Sequence, residues 1–177
     1  MDAPMNMLET ARTALKRQYH ASLEMLREGI ERCPDAHWLD TTHGHAFWQV
    51  AYHALFYAHM YLQPNLTSFQ PWAEHQPNAQ YQNGFSGPPK AGSKLPLIPE
   101  PYSRAQVMAY WNICESMVDD AIDGFDLLEP NSGFPWYTCT KLEHQIISIR
   151  HIQHHTAQLG DRLRALEGAG LNWLGHP

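Results

Sequence analysis

The residues best suited to chemistry stand late in the chain, in Arg150-His-Ile-Gln-His-His-Thr-Ala-Gln-Leu159. His151 and His155 are four residues apart, so on a helix their imidazoles stack on one face, about one turn from each other. That spacing lets two rings grip one metal ion, as in the metalloprotease helix motif. His144 lies further back on roughly the same face, whereas His154 is turned about 100° from His155 and does not join both. In a chain with 12 histidines, as many as its lysines and arginines together, such a pair also arises by chance or for simple hydrogen bonding. A third histidine sharpens the pattern. His53 sits in Phe47-Trp-Gln-Val-Ala-Tyr-His-Ala-Leu-Phe-Tyr-Ala-His-Met-Tyr-Leu62, which is apolar on nearly every side. A helix of that kind is buried by several neighbours, and an imidazole left without a partner in such surroundings is costly. A single buried histidine is more often a hydrogen-bonded core residue than a ligand. Three that converge on one divalent ion share one explanation. His45, Gln49 and His53 lie along one face at spacings of four, so His45 stands as the alternative to His53, and His59 falls off that face.

Four helices must position these groups. The first is expected from about Pro4 to Cys33, with Pro34 as its stop. Leu8, Leu15, Tyr19, Leu23, Leu26 and Ile30 form one apolar stripe there, and His20, set among Lys16, Arg17, Glu24 and Arg27, reads as solvated. The second is expected to open on Thr41 or Thr42 as N-cap and to end before Pro64. The third opens near Ser103 and runs from Arg104 to Phe125. Its stripe includes Val107, Tyr110, Cys114, Val118 and Ile122, which makes Cys114 a small core residue rather than a nucleophile. The fourth follows Thr138-Cys-Thr140 and stops at Gly168. No stretch alternates with a period of two, so the expected fold is all-α, a four-helix bundle. Residues 64–101 hold eight of the 13 prolines; so long a connection between the second and third helices serves either as a lid or arm or as a plain crossover. The tail with Trp173 either packs back or reaches a second subunit. A homodimer is expected from the aromatic residues of the long connection, Phe69, Trp72, Tyr81 and Phe85, together with Trp173.

Composition narrows the function classes. A chain of 177 residues fits a single domain, 1–177. With 44% apolar and 17% charged residues it is globular in character. A net charge of -6 without a basic run argues against nucleic acid as the partner. The apolar stretch from Phe47 to Leu62 is shorter than the roughly 20 residues of a membrane span. The opening Met-Asp-Ala-Pro-Met-Asn lacks the basic and apolar regions of a secretory signal. Cys33, Cys114 and Cys139 form neither a disulfide framework nor a CxxC pair, so a cytoplasmic location is expected.

A histidine in the second helix, then HxxxH followed by x-x-Gln-Leu late in the fourth, resembles the DinB/YfiT-like superfamily of metalloenzymes. The resemblance covers most of the chain, including the bundle and the long connection between helices two and three. His155-Thr-Ala-Gln-Leu159 stands where many members have His-Arg-Gly-Gln-Leu, so Thr156 and Ala157 depart from the pattern and Gln158 matches it. The resemblance implies a divalent-metal site made by His53, His151 and His155. Three neutral imidazoles leave a tetrahedral ion one open position, as in catalytic sites. Such an ion activates a water for hydrolysis or holds a thiol as thiolate. The resemblance implies the second chemistry, a thiol S-transferase that uses a low-molecular-weight thiol. Nitrogen donors suit zinc or nickel, with iron and copper also compatible. Glu143 or His144 could act as general base, although either is equally a helix-start residue, and Tyr52 and Tyr57 flank His53 as lining or as packing. The alternative function is a non-catalytic metal-binding or structural bundle, such as a stress-related protein.

Overall fold

Leu15, Tyr19, Leu23, Leu26 and Ile30 recur every three or four residues along α1 (Met7–Arg32), and all five are buried. Each fully buried side chain of this kind contributes roughly 1.5–3 kcal/mol. The computed structural model describes residues 7–82 and 100–176, so Pro4 lies outside the described residues. The remaining helices are α2 (Asp35–Trp38), α3 (Phe47–Tyr61), α4 (Arg104–Ser116), α5 (Val118–Gly124) and α6 (Lys141–Glu167). The described residues are helices and loops without strands, an all-α chain. α6 packs against both α1 and α3, α4 packs against the same two from the other side, and α5 continues along α1.

α3 buries 12 of its 15 residues, which its apolar sequence requires. α6 differs. Ile152, Leu159 and Leu163 are buried beside the polar His144, Gln145, Ser148, His155 and Thr156. Gln145 accepts a hydrogen bond from the Tyr19 hydroxyl at 2.6 Å and donates to the Tyr61 carbonyl at 3.3 Å. This partly polar inward face is what brings imidazoles against α3.

Three local readings change. α3 opens at Phe47 with Ala46 as N-cap, not at Thr41 or Thr42. Asp40 accepts from the Thr42 backbone N–H at 2.9 Å and from its hydroxyl, and Gly44 closes the turn onto the Thr41 carbonyl at 2.8 Å. The carboxylate therefore holds Thr42, and the Gly44 N–H holds the Thr41 carbonyl, in a turn, while Gln49 Oε1 caps the Ala46 N–H at 2.9 Å. The third expected helix is two, divided at Met117. Ser116 Oγ donates to the Ile113 carbonyl at 2.9 Å, a side-chain bond of the type that bends helices. His20 is not simply solvated: its ring nitrogens lie 2.7 Å from Glu115 Oε1 and 3.1 Å from Asp119 Oδ1, across the α4–α5 break.

Other readings agree with the structure. Ser103 and Thr140 cap α4 and α6, and Gly168 ends α6 at φ +77°. Cys114 is buried in the core, its thiol 3.4 Å from the Leu55 carbonyl. The tail packs back in part, because Leu171 lies against Gly29 and Gly160, while Trp173 is 80% exposed. In the described part of the long connection, Phe69 and Trp72 pack on the core; Phe85 lies outside the described residues. Gln76 exchanges side-chain and backbone hydrogen bonds with Glu100 at 2.8 and 3.0 Å, tying the two described ends together.

Candidate metal centre

α3 presents His53, and α6 presents His151 and His155 one turn apart. One ring nitrogen from each lies within 4.8 Å of the other two. His151 Nε2 is 3.2 Å from His53 Nε2 and 3.2 Å from His155 Nε2. Nitrogens about 2.0–2.1 Å from a tetrahedral zinc stand roughly 3.3 Å apart, so the spacing fits one ion. His45 precedes α3 and does not join the group; its carbonyl accepts from Arg162 at 2.8 Å. His154 is exposed, as its position on the helix requires.

The outer nitrogens set which ring nitrogen is free. His53 Nδ1–H donates to the Gln80 carbonyl at 2.6 Å. His155 Nδ1 has two partners that call for opposite tautomers: as Nδ1–H it donates to Gln158 Oε1 at 2.9 Å, and as a bare nitrogen it accepts from the Gln82 amide N–H at 3.2 Å. The Gln80 partnership and the shorter of the two at His155, that with Gln158, leave an Nε2 lone pair aimed at His151. A proton on His151 Nε2 cannot point along both lines, whereas a cation satisfies all three lone pairs. Outer partners of this kind orient metal-binding histidines. His151 Nδ1 is the exception, being buried without a partner.

Burial pushes the His53 imidazole down to about 4, and lowers His155 to about 4 with help from His53. Burial lowers His151 further, to about 3, reinforced by His155 and His53. All three are therefore neutral at pH 7, the protonation state that metal binding needs.

A cavity of about 560 Å³ adjoins the group, with His53 and His151 in its wall beside Tyr57, Tyr61, Trp136 and Tyr137. Tyr57 thus lines the site, whereas Tyr52 is core, fully buried, with its hydroxyl 2.7 Å from His75 Nδ1. Glu143 is exposed in the first turn of α6, where its N–H donates to Thr140 Oγ1 at 3.2 Å. His144 is fully buried among Tyr61, Phe134 and Tyr137, behind the cavity wall. Gln80, Gln82, Tyr81, Trp136 and Tyr137 come from loops that carry no periodicity, so sequence reasoning missed them. The dense aromatic content of both loops was the one signal available.

The Trp136 loop is held by specific contacts. Gly133, at φ +88°, has no room for a Cβ, which would lie 2.4 Å from the Pro64 carbonyl oxygen. Lys141 Nζ, buried at the start of α6, donates to that carbonyl at 2.6 Å and also to the Ser132 carbonyl. Comparison with protein-family profiles, with curated proteins and with solved structures finds no match to this chain.

Proposed function

We propose that the chain is a metal-dependent enzyme on a DinB/YfiT-like four-helix bundle, with one divalent ion held by His53, His151 and His155. The observation that carries this reading is the meeting of three neutral imidazole nitrogens at the edge of a cavity. The packing of α1, α3, α6 and the α4–α5 pair around one another supports the bundle type. Zinc or nickel suits three nitrogen donors, with iron the next choice. When bound, such an ion supplies Lewis-acid activation of a thiol or a water.

The chain's own residues do the rest. The Gln80 carbonyl and the Gln158 amide keep the protons of His53 and His155 on Nδ1. Tyr57, packed 4.8 Å from the His53 ring and 5.3 Å from that of His151, buttresses both imidazoles where they face the cavity. The described wall offers phenol hydroxyls and the Gln80 amide, groups that suit positioning a small thiol for S-transfer better than generating a hydrolytic base.

Metal analysis of the purified protein, followed by assay of the loaded protein with low-molecular-weight thiols and an electrophile panel, tests the reading. One equivalent of ion and thiol-adduct formation are expected. Metal without thiol adduct or hydrolysis supports the non-catalytic bundle instead. A homodimer belongs to the same proposal, with exposed Trp173 as its candidate contact; light scattering that shows only monomer at micromolar concentration removes it.

A further inference from the structure

The cavity beside the histidines is a chemical surface in its own right. Its volume of about 560 Å³ falls within the roughly 300–1,000 Å³ of ordinary small-molecule sites. A continuous aromatic wall leads away from the histidines: the His151 and Tyr57 rings are 5.3 Å apart, Tyr57 and Tyr61 5.6 Å, and Tyr61 and Tyr137 5.8 Å. Trp136 closes the rim, its indole N–H donating to the Tyr61 hydroxyl at 3.2 Å. None of the described lining residues is Asp, Glu, Lys or Arg. A charged group placed along this wall loses hydration and gains no counter-charge. Flat rings, by contrast, meet aromatic faces and edges in their favoured geometries. One buried acceptor, Gln80 Oε1, has no hydrogen-bond partner and belongs to a lining residue.

We infer that the site takes an uncharged substrate with a flat, apolar, ring-bearing body, laid along Tyr57, Tyr61 and Trp136 with its reacting end at His53 and His151. The position of the reacting end rests on the metal-enzyme reading. Binding of the apolar body needs no metal, and the two therefore separate by experiment.

The test uses metal-free protein and two fluorescent probes on one skeleton, uncharged N-phenyl-1-naphthylamine and its sulfonate, 8-anilino-1-naphthalenesulfonate. The uncharged probe is expected to bind about tenfold more tightly or better. Trp136→Glu, a change at a half-exposed position, should weaken it by about tenfold or more, and so should Tyr57→Ser. Ile146→Ser, in the separate apolar groove between α1 and α6, should leave it within about twofold. Helical circular dichroism and zinc stoichiometry of each variant report folding. Equal binding of the two probes, unchanged affinity in Trp136→Glu, or loss of affinity in Ile146→Ser overturns the inference. Probe binding that behaves as expected in a protein that takes up no zinc overturns the metal reading and leaves the cavity assignment standing.

Discussion

Two groups of buried or half-buried histidines lie in or beside the same core and differ in one respect. His59 pairs its Nδ1 with the Tyr110 hydroxyl at 3.0 Å, His75 pairs with Tyr52 at 2.7 Å, and His144 is enclosed by rings. Each is a separate imidazole settled among aromatic neighbours. His53, His151 and His155 instead direct nitrogens at a common point. Burial does not distinguish the groups, since His144 is more enclosed than His53, and burial lowers both to about 4. Position on the helix does not either, because His144 shares α6 with His151. Convergence of ring nitrogens is the property that separates the candidate ligands from the core histidines.

The sharpest way to break the comparison is to exchange members of the two groups. His151→Ala removes the nitrogen 3.2 Å from both others and should weaken zinc binding more than about 100-fold, beyond the effect of losing an outer partner. His144→Phe should leave zinc affinity within about threefold. Competition against a chromophoric chelator measures both, and equal effects in the two variants would erase the distinction.

Acid should act on both groups in the metal-free protein and on the convergent group alone in metal binding. The folded-state values lie near 3 to 4 for His53, His144, His151 and His155, below the unfolded value of about 6.5. Between these values the unfolded chain binds more protons, so stability is full above pH ~6.5 and falls as pH drops toward ~4. Urea midpoints at pH 7, 5.5 and 4.5 should decline in that order, and a flat profile contradicts the assignment of neutral buried rings. His144→Phe should reduce this slope without moving the pH at which zinc is released.

Gln158→Leu takes away the acceptor 2.9 Å from His155 Nδ1 and should weaken zinc binding by about 10–100-fold. A variant with wild-type affinity would assign Gln158 to the helix surface only. The smallest effect concerns the wall rather than the ligands. Gly133→Ala forces a Cβ against the Pro64 carbonyl at positive φ and should cost about 1–3 kcal/mol in unfolding free energy. Zinc stoichiometry should stay at one, because the loop carries Trp136 and Tyr137 but no ligand.

Much of this arrangement was legible in the chain. The three/four spacing of Leu15, Tyr19, Leu23, Leu26 and Ile30 marks a buried face, and Ser103, Thr140 and Gly168 mark helix ends by capping chemistry that is local. His151 and His155 follow from helical geometry alone, and His53 from the apolar run around it. What was not legible depends on contacts distant in sequence. Asp40 competes for Thr42 and shifts the start of α3. Glu115 and Asp119 reach His20 only because α4 and α5 lie against α1. Gln80 fixes His53 through its backbone carbonyl, a group that every residue type carries and no sequence pattern announces.

The central claim is that three imidazole nitrogens from α3 and α6 hold one divalent ion. X-ray absorption at the zinc edge, on protein loaded with one equivalent, tests it most directly. The account predicts three imidazole nitrogens at about 2.0–2.1 Å and one further light-atom ligand. A shell with fewer than two imidazoles, or an unchanged spectrum in His151→Ala, would contradict it.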